Sequence, residues 1–400
     1  MLSDLKICIV GLGYIGLPSA ALLANRGYQV QGVDISPKVV DTINKGEIHI
    51  VEPDLDSFVH SAVNSGRLKA SLTPEPADIF IIAVPTPFKD GFVPNVDYVL
   101  DATRAIAPVV KAGDMVILES TSPVGTTESV AEVLRHEGLN TDSIYISHCP
   151  ERVLPGHIMR ELVENDRIVG GITPAASEKV AEFYRTFVTG EVLETDARTA
   201  EMTKLTENSF RDVNIAFANE LSLLSDKFGI DVWELIRFAN RHPRVNILQP
   251  GTGVGGHCIA VDPWFIVHEG GDDARLIRTG REVNTRKTEW VVEKIQAEAK
   301  RFEKRCGREP LIACLGLAFK PNIDDLRESP ALYVFQQLVA TGVQPLAVEP
   351  NLKQHESLTL TPWKEAVEQA DIVACLVAHR EFKNLNTEGQ FLDFCGICKL

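Results

Sequence analysis

The sequence predicts an α/β protein with two doubly wound parallel-sheet domains, joined by a helical middle domain that contains a long central helix. Three observations predict this fold. Short apolar runs alternate with helical stretches up to about residue 196, helical periodicity alone then continues to about residue 304, and β-like runs return afterwards. We therefore predict domains at residues 1–196, 197–304 and 305–400.

The first element is a βαβ unit of the kind that binds dinucleotides. An apolar run ends at Val10 and is followed by Gly11-Leu12-Gly13-Tyr14-Ile15-Gly16, a helical stretch and a second strand that ends at Asp34. Gly11 permits the tight turn, Gly13 lets the backbone approach a pyrophosphate, and Gly16 allows close helix packing. The Asp34 carboxylate suits ribose hydroxyls and would repel a 2′-phosphate. The unit therefore predicts a Rossmann-like domain that binds NAD rather than NADP.

The alternation of strands and helices continues along the first domain. Buried strands are predicted at residues 78–84, 115–119 and 144–147, with helices at about 97–108 and 126–137. Thr86 and Thr121 follow the first two of these strands. Because ligands bind beyond the carboxyl ends of parallel strands, both threonines are candidate cofactor contacts, with a turn or cap role as the alternative.

The middle and last domains are predicted from periodicity and helix-start signals. Helices are expected from Ala197 to about Phe228, from the capping-box pattern at 231–234, and over about 275–304. A helix-rich region between two sheet domains is a common dimer interface, so we expect a homodimer. Strands follow at 311–315, 343–348 and 371–378, and Ser329-Pro330 begins a helix between the first two.

Composition and charge exclude several classes of protein. The 400 residues include 55 Asp and Glu against 40 Lys and Arg, a formal net charge of −15, which argues against a nucleic-acid partner. No apolar run reaches the ~18 residues that cross a bilayer, so we expect no membrane partner and a cytoplasmic location. The eight cysteines are too sparse for a disulfide framework and are expected to stay reduced. An anionic ligand would then depend on local amides and a few placed cations.

Three segments carry candidate chemistry. Cys258 follows two glycines, which suits an exposed nucleophile, although a lone cysteine is more often an inert core residue. Lys204 and Asn208 share one face of a predicted helix, with a solvated polar face as the alternative. Lys320 lies in a glycine-bearing loop after a strand, a position suited to a diphosphate or a sugar hydroxyl. No metal-binding constellation stands out, because Cys395-Gly396-Ile397-Cys398 is a single pair.

These segments together resemble the UDP-glucose/UDP-N-acetylhexosamine 6-dehydrogenase family over essentially the whole chain. The motifs that carry the resemblance, in order, are Gly11–Gly16, Pro85-Thr86-Pro87, Ser120–Gly125, Cys149-Pro150-Glu151-Arg152, Lys204 with Asn208, Gly255-Gly256-His257-Cys258, and Phe319-Lys320 with Arg327. Residues 241–246 and 257–265 most resemble the UDP-N-acetyl-D-mannosamine dehydrogenase branch. The glucose branch usually has Lys-Asp where this chain has Val261-Asp262, which argues against UDP-glucose.

The resemblance implies a four-electron oxidation of a sugar C6 alcohol to a carboxylate, with two NAD used per turnover, for surface polysaccharide synthesis. The implied substrate is UDP-N-acetyl-D-mannosamine, with UDP-N-acetylglucosamine or UDP-N-acetylgalactosamine as the alternative. A two-electron β-hydroxyacid dehydrogenase and a non-catalytic nucleotide-sugar sensor are the more distant alternatives.

The resemblance also implies roles for individual residues. Cys258 would form a thiohemiacetal and then a thioester, and Asp262 and Glu151 would orient or activate water. Lys204 would be an electrostatic stabiliser or an acid/base, and Asn208 a neutral donor or a water anchor. The implied NAD contacts, beside the glycines, are Tyr14, Ile15, Asp34, Thr86, Thr121 and Arg327. The implied UDP-sugar contacts are Arg152, Val153, Lys204, Asn208, Arg211, His242, Arg244, Gly255, Phe319 and Lys320, of which Arg244 would reach a neighbouring subunit's site.

Overall fold

A computed structural model describes residues 5–256, 258–383 and 385–397, with the side chain of Asp90 left out. The chain forms two compact units, Met1–Thr206 and Glu207–Leu400, and one long helix runs across the boundary. In the part of the chain described, no helix combines the length and apolar character needed to span a membrane.

The first unit is built on one sheet. Its strands are β1 (Lys6–Val10), β2 (Gln29–Val33), β3 (Leu68–Ser71), β4 (Ile79–Ile82), β5 (Phe88–Lys89), β6 (Val93–Pro94), β7 (Met115–Leu118), β8 (Tyr145–His148), β9 (Arg167–Gly171) and β10 (Val192–Asp196). Its helices are α1 (Gly16–Asn25), α2 (Pro37–Asn44), α3 (Leu55–Asn64), α4 (Asp97–Ile106), α5 (Thr126–His136), α6 (Ile158–Glu164), α7 (Pro174–Tyr184) and the start of α8 (Ala197–Phe228).

The strand order in this sheet is β10-β9-β8-β7-β4-β1-β2-β3, and β5 and β6 form a separate hairpin. All neighbours in the large sheet pair in parallel except β8 and β9, which are antiparallel. Ile82 pairs with Leu118 and Leu118 with His148, so the carboxyl ends of β4, β7 and β8 lie in register. Apolar clusters cover both faces of the sheet, as a doubly wound fold requires.

The second unit contains the rest of α8, a helical region and a smaller sheet. Its further elements are α9 (Val232–Ala239), α10 (Asp262–Gly270), α11 (Arg275–Cys306), β11 (Ile312–Leu315), α12 (Pro330–Ala340), β12 (Leu346–Val348), α13 (Trp363–Gln369), β13 (Ile372–Cys375) and β14 (Gln390–Asp393). The sheet order is β12-β11-β13-β14, with every pair parallel. This confirms the predicted α/β class with two parallel-sheet regions and a long helix between them.

The predicted helix starts agree with the cap geometry. The Asp231 side chain accepts hydrogen bonds from the backbone N–H groups of Trp233 and Glu234 at the start of α9. The Ser329 hydroxyl accepts from Leu332 N at 3.3 Å, and Pro330 occupies the first turn of α12. Both caps satisfy N–H groups that a helix start leaves without an intrahelical partner.

Candidate active site

The glycine turn after β1 has the shape of a dinucleotide cradle. Gly11 adopts φ +94°, where glycine is favoured, and a Cβ on Gly16 would lie 1.8 Å from the Gly11 carbonyl oxygen. A Cβ on Gly13 would meet nothing within 4 Å, so the backbone there faces open space. The Asp34 carboxylate accepts from Leu12 N at 3.1 Å, which fixes the acid beside the turn. These residues fit the pyrophosphate and ribose of a dinucleotide.

The threonine loops after β4 and β7 lie side by side. The Thr86 hydroxyl donates to the Thr121 carbonyl oxygen at 2.6 Å, and both residues are half-buried. The two loops meet because β4 and β7 are adjacent in the sheet. Tyr14, 39% exposed, and half-buried Ile15 precede α1 at the same carboxyl edge. The predicted cofactor contacts of the first unit therefore lie along one edge of the sheet.

The part of α8 that carries Lys204 is anchored by Glu201, a residue that no sequence pattern had indicated. The buried Glu201 carboxylate accepts from Gly125 N at 2.6 Å and from Thr127 N and Oγ1 at 2.7 and 2.6 Å, at the start of α5. A carboxylate is stabilised there by the helix dipole and the unpaired N–H groups. Because Lys204 follows one helical turn later, this anchor fixes the part of α8 that carries the lysine.

Glu151 lies at the carboxyl edge in a buried ion pair. Arg167 Nη1 lies 2.9 Å from Glu151 Oε2, and their side chains are 2% and 7% exposed. Glu151 Oε1 accepts from Arg152 N, and Arg152 Nη1 donates to the Asp166 carbonyl oxygen. Val153 packs against the apolar core of the first unit. The ion pair therefore fixes the strand end from which the predicted sugar contacts Arg152 and Val153 follow.

A second buried acid lies in this part of the first unit. Glu119 accepts a hydrogen bond from the Tyr184 hydroxyl at 2.7 Å, and burial raises the pKa of Glu119 to about 7. Burial also lowers the pKa of His148 to about 3, and the Lys204 ammonium acts in the same direction. The neutral forms of both groups are therefore favoured in the folded protein.

We expect Glu119→Gln to remove a pH-dependent loss of stability. The folded protein retains the Glu119 proton up to about pH 7, whereas the unfolded carboxyl loses it near its usual value of 4.5, so stability falls as pH rises between these values. Relative to the variant, the wild-type protein should lose up to about 3 kcal/mol between about pH 5 and about pH 8. Urea titrations at several pH values measure this difference, and parallel pH profiles for the two proteins would contradict it.

Cys258 lies at the end of a loop whose glycines are packed too closely for side chains. A Cβ on Gly255 would lie 2.2 Å from the Glu328 carbonyl oxygen, and one on Gly256 would lie 2.8 Å from the Phe319 ring. Gly256 also adopts φ +87°, which favours glycine. The loop therefore packs closely against the segment that contains Phe319. Cys258 itself is half-buried, and His257 lies outside the described residues.

Asn208 and Asp262 meet beside this cysteine. Asn208 Nδ2 donates to Asp262 Oδ2 at 2.5 Å, and both side chains are buried. Asp262 N donates to the Cys258 carbonyl oxygen at 2.8 Å, so a single turn of the chain leads from the cysteine to the start of α10. The structure thus brings Cys258, Asn208 and Asp262 together. The arrangement places a cysteine close in the chain to a carboxylate that is paired with a neutral amide.

Lys320 and Arg211 bring positive charge to this loop. Burial lowers the pKa of Lys320, and the nearby Arg211 guanidinium lowers it further, whereas Asp325 and Cys258 raise it. Two neighbouring cations next to a glycine-lined loop form a suitable site for a diphosphate. Phe319, whose ring packs on Gly256, supplies an apolar surface beside them.

The remaining predicted residues of the second unit are exposed. Arg327 is paired with the Asp325 carboxylate at 2.6 Å. His242 and Arg244 follow α9, and Arg244 N donates to His242 Nδ1 at 3.3 Å. The described hydrogen bonds of these three residues are local.

The turn after β11 resembles the turn after β1, but the acid that follows its second strand has different hydrogen-bond partners. Gly316 N donates to Val348 O at 2.8 Å and Gly11 N to Val33 O at the same distance, and each second strand ends in an acid, Glu349 or Asp34. Glu349 Oε2 accepts from Leu317 N, Ala318 N and His379 Nε2 at 2.8, 2.9 and 3.0 Å. Glu349 is 3% exposed, so this buried network shapes the loop that leads to Phe319 and Lys320.

Sequence reasoning did not predict several of these supporting residues. Glu349 had a usable signal, since it follows a strand as Asp34 does. Glu201 and Arg167 had none, because their partners are 74 and 16 residues away in sequence. Within the described residues, no group of three or more His, Cys, Asp and Glu side chains is arranged to bind a metal ion. Cys398 lies outside the described residues, and Cys395 Sγ lies 3.5 Å from Cys375 Sγ.

Three family models match the chain in order. Residues 5–188 match the NAD binding domain of the UDP-glucose/GDP-mannose dehydrogenase family, residues 198–286 match its central domain, and residues 313–393 match its UDP binding domain. The match to the first domain includes the glycine cradle, and the match to the second includes Lys204, Asn208 and Cys258.

Individual proteins match nearly the whole chain. A UDP-N-acetyl-D-mannosamine dehydrogenase of Campylobacter jejuni is 57% identical, over 98% of this chain and 99% of its own. An NDP-N-acetyl-D-galactosaminuronic acid dehydrogenase of Ralstonia nicotianae is 56% identical, over 96% and 92%. The solved structure of the UDP-D-ManNAc dehydrogenase from Pyrococcus horikoshii is 40% identical, with a TM-score of 0.89 over 98% of this chain and 96% of that one.

Proposed function

The chain belongs to the UDP-glucose/GDP-mannose dehydrogenase family of NAD-dependent oxidoreductases, and on that premise we propose that it oxidises UDP-N-acetyl-D-mannosamine at C6 to the uronate. The observation that carries the proposal is the cysteine site of the second unit. There the half-buried Cys258 thiol adjoins the Asn208–Asp262 pair and the cations Arg211 and Lys320. Simple alcohol oxidation needs no such thiol, which disfavours a two-electron β-hydroxyacid dehydrogenase.

The first oxidation converts the C6 alcohol to an aldehyde. When bound, NAD accepts the hydride from C6 in each of the two oxidations. The cradle of Gly11, Gly13 and Gly16, with Asp34, Thr86 and Thr121, would hold it, and Arg327 is a further proposed contact. The Lys204 ammonium, on the part of α8 that Glu201 anchors, stabilises the alkoxide that develops as the hydroxyl loses its proton, and Asn208 donates a neutral hydrogen bond.

The second oxidation needs the thiol. An aldehyde carbon has no C–O⁻ group that can expel a hydride until a nucleophile adds, so Cys258 Sγ forms a C–S bond and gives a thiohemiacetal. Hydride removal from that carbon leaves a thioester. Water adds to the thioester carbonyl, the C–S bond breaks, and the carboxylate product and the Cys258 thiol are released. We assign the orientation and activation of this water to Asp262 and Glu151, which are buried carboxylates with fixed partners.

The proposed sugar contacts divide between anionic and neutral parts of the substrate. Arg211, Lys320 and Arg244 are the cations proposed for the diphosphate, and Phe319 and Gly255 line the loop beside Cys258. Arg152, Val153, Lys204, Asn208 and His242 complete the proposed set. In a chain with a net charge of −15, these few cations give the anionic substrate a local site rather than a general attraction.

The identity of the acetamido sugar is tested by offering the enzyme several UDP-sugars. We expect purified enzyme to form two NADH per molecule of UDP-N-acetyl-D-mannosamine and to react more slowly with UDP-N-acetylglucosamine, UDP-N-acetylgalactosamine and UDP-glucose. The galactosamine compound is the sharpest comparison, because relatives of almost equal identity carry the two names. Preference for another of these sugars would replace the proposed substrate, and no NADH from any of them would overturn the proposed activity.

A homodimer is proposed from the surface of α8. Four apolar residues spaced seven, seven and four apart are 67%, 54%, 40% and 64% exposed, namely Phe210, Phe217, Leu224 and Phe228. This spacing places them along one side of a helix, in the manner of a coiled-coil seam. A dimer would bury this stripe, and we propose that it also brings Arg244 towards the partner's substrate site.

We expect Phe217→Glu to shift the protein from dimer to monomer, because a carboxylate in the seam would lose its hydration. Sedimentation velocity at micromolar concentration measures this change. The matched variant Phe217→Leu keeps an apolar side chain and should remain a dimer. A wild-type protein that sediments as a monomer would overturn the proposal.

We further propose that the reaction takes place in the cytoplasm and supplies a uronic acid for a surface polysaccharide. The described cysteines are free thiols, a state that a reducing compartment preserves, which supports a cytoplasmic location. The relatives named for aminosugar dehydrogenases support the second.

A further inference from the structure

A buried row of polar side chains connects α8 and α11 to the start of the Cys258 loop. Asn284 Nδ2 donates to Asp212 Oδ1 at 2.8 Å, and Asn219 Nδ2 donates to Asn284 Oδ1 at 2.8 Å. Gly251 N in turn donates to Asn219 Oδ1 at 2.9 Å. Asp212, Asn219 and Asn284 are at most 1% exposed, so solvent does not compete for these bonds. We call Asp212, Asn284, Asn219 and Gly251 the amide relay.

Only one orientation of the Asn284 and Asn219 amide groups satisfies every hydrogen bond of the relay. The Asp212 carboxylate is paired with Arg281 at 2.7 Å, and an ionised carboxylate only accepts hydrogen bonds. Asn284 must therefore turn its NH₂ group towards Asp212 and its oxygen towards Asn219. Asn219 must then give its NH₂ to Asn284, which leaves its oxygen for the Gly251 N–H. The charge on Asp212 thus determines that the Asn219 side chain, two side chains away, presents its oxygen to Gly251 N.

The relay ends where the catalytic loop begins. Gly251 is the first residue of the segment that leads through Gly253, Gly255 and Gly256 to Cys258. The next residue, Thr252, is buried and donates its hydroxyl to the Leu376 carbonyl oxygen at 2.6 Å. A glycine-rich loop has little stiffness of its own, so these two anchors at its start determine where it begins.

We propose that Asn219 and Asn284 are positioning residues for Cys258, holding the start of its loop so that the thiol reaches the aldehyde. This role rests on the proposed function, since it assumes that Cys258 is the nucleophile. The thiol is used only after the first hydride has left. A displaced loop therefore slows formation of the C–S bond and leaves the aldehyde without its acceptor. A misplacement of about 1 Å can lower a rate by about 10²-fold.

The test compares Asn219→Ala and Asn284→Ala with two matched controls. Asn214→Ala lies on α8, where the Asn214 amide donates to Phe210 O within its own helix. Thr285→Ala lies on α11, where the hydroxyl donates to Arg281 O. Each control removes a local side-chain hydrogen bond from the same helix and leaves the relay intact. Asn219→Ser, which retains a small polar group, replaces Asn219→Ala if that variant does not fold.

The measured quantities are kcat per folded enzyme, NADH formed per sugar consumed, and aldehyde trapped by hydroxylamine. For the relay variants we expect kcat to fall about tenfold or more, the NADH ratio to fall from two towards one, and trapped aldehyde to appear. The KM for NAD should change by less than about twofold. Simple destabilisation reduces the amount of active enzyme but leaves the ratio at two, as we expect for both controls.

The variant Cys258→Ser separates failure of the inference from failure of the proposed function. If Cys258→Ser gives a low ratio while the relay variants keep two NADH per sugar and a control-like kcat, the positioning role is wrong and the nucleophile stands. If Cys258→Ser also keeps a ratio of two, the thiol mechanism itself is overturned.

Discussion

Replacement of Cys258 by serine is expected to abolish four-electron turnover while leaving the fold intact. The hydroxyl is a far weaker nucleophile than a thiol at neutral pH, so the aldehyde is not captured and the second hydride cannot leave. Steady formation of the uronate should fall by on the order of 10³-fold or more. The residue is half-buried and the change is nearly isosteric, so the thermal midpoint should move by no more than a few degrees.

The measurement combines NADH absorbance with chromatographic separation of the UDP-sugars. A single turnover of Cys258→Ser should give at most one NADH per sugar and no uronate. Cys306→Ser is the matched control, because Cys306 is exposed at the end of α11 and lies outside the proposed site. Uronate formation at the wild-type rate by Cys258→Ser would exclude the thioester route.

Replacement of Arg167 by leucine is expected to cause a large loss of stability. The substitution leaves the Glu151 carboxylate, 7% exposed, without the guanidinium that compensates its charge. Removal of one partner from a buried ion pair costs about 3–5 kcal/mol, much more than loss of a surface pair. Urea titration, followed by a probe of the first unit, should detect a lower midpoint with an unchanged slope.

A double variant distinguishes uncompensated charge from lost packing. Arg167→Leu with Glu151→Gln removes both charges, so it should recover part of the stability lost in the single variant. The two proteins would be equally unstable if the loss came from packing of the arginine against Tyr184. Because Glu151 is also proposed to act on water, Glu151→Gln alone should reduce thioester hydrolysis even where it folds normally.

The sequence predicted those features that depend on local pattern. The strand ending at Val10, the glycine turn, the caps at Asp231 and Ser329 and the extent of α8 each arise from residues close together in the chain. The cluster of Cys258, Asn208 and Asp262 was reached through resemblance, and its contacts agree with the structure. Periodicity alone could not predict the contact between Asn208 and Asp262, which are 54 positions apart.

The supporting contacts were not predictable because their partners are distant in sequence. The ion pair between Arg167 and Glu151 depends on strand β9, which pairs antiparallel with β8 and which no sequence pattern had predicted. The amide relay joins α8, α11 and a loop through asparagines, which in a single sequence are indistinguishable from solvated helix residues. Only packing of the two helices shows that these side chains are buried.

Asp34 and Glu349 lie at equivalent positions, but the protein itself binds the Glu349 carboxylate more completely. The turns after β1 and β11 are alike, yet Asp34 is half-buried and accepts one backbone hydrogen bond on each oxygen, whereas Glu349 Oε2 alone accepts three. The second turn therefore uses its acid for its own structure, through two N–H groups of the turn and the His379 ring, which disfavours a dinucleotide ribose at that position. If NAD binds only at the first turn, the two oxidations proposed above require one exchange of NADH for NAD, and the proposed covalent bond to Cys258 would retain the half-oxidised sugar during that exchange.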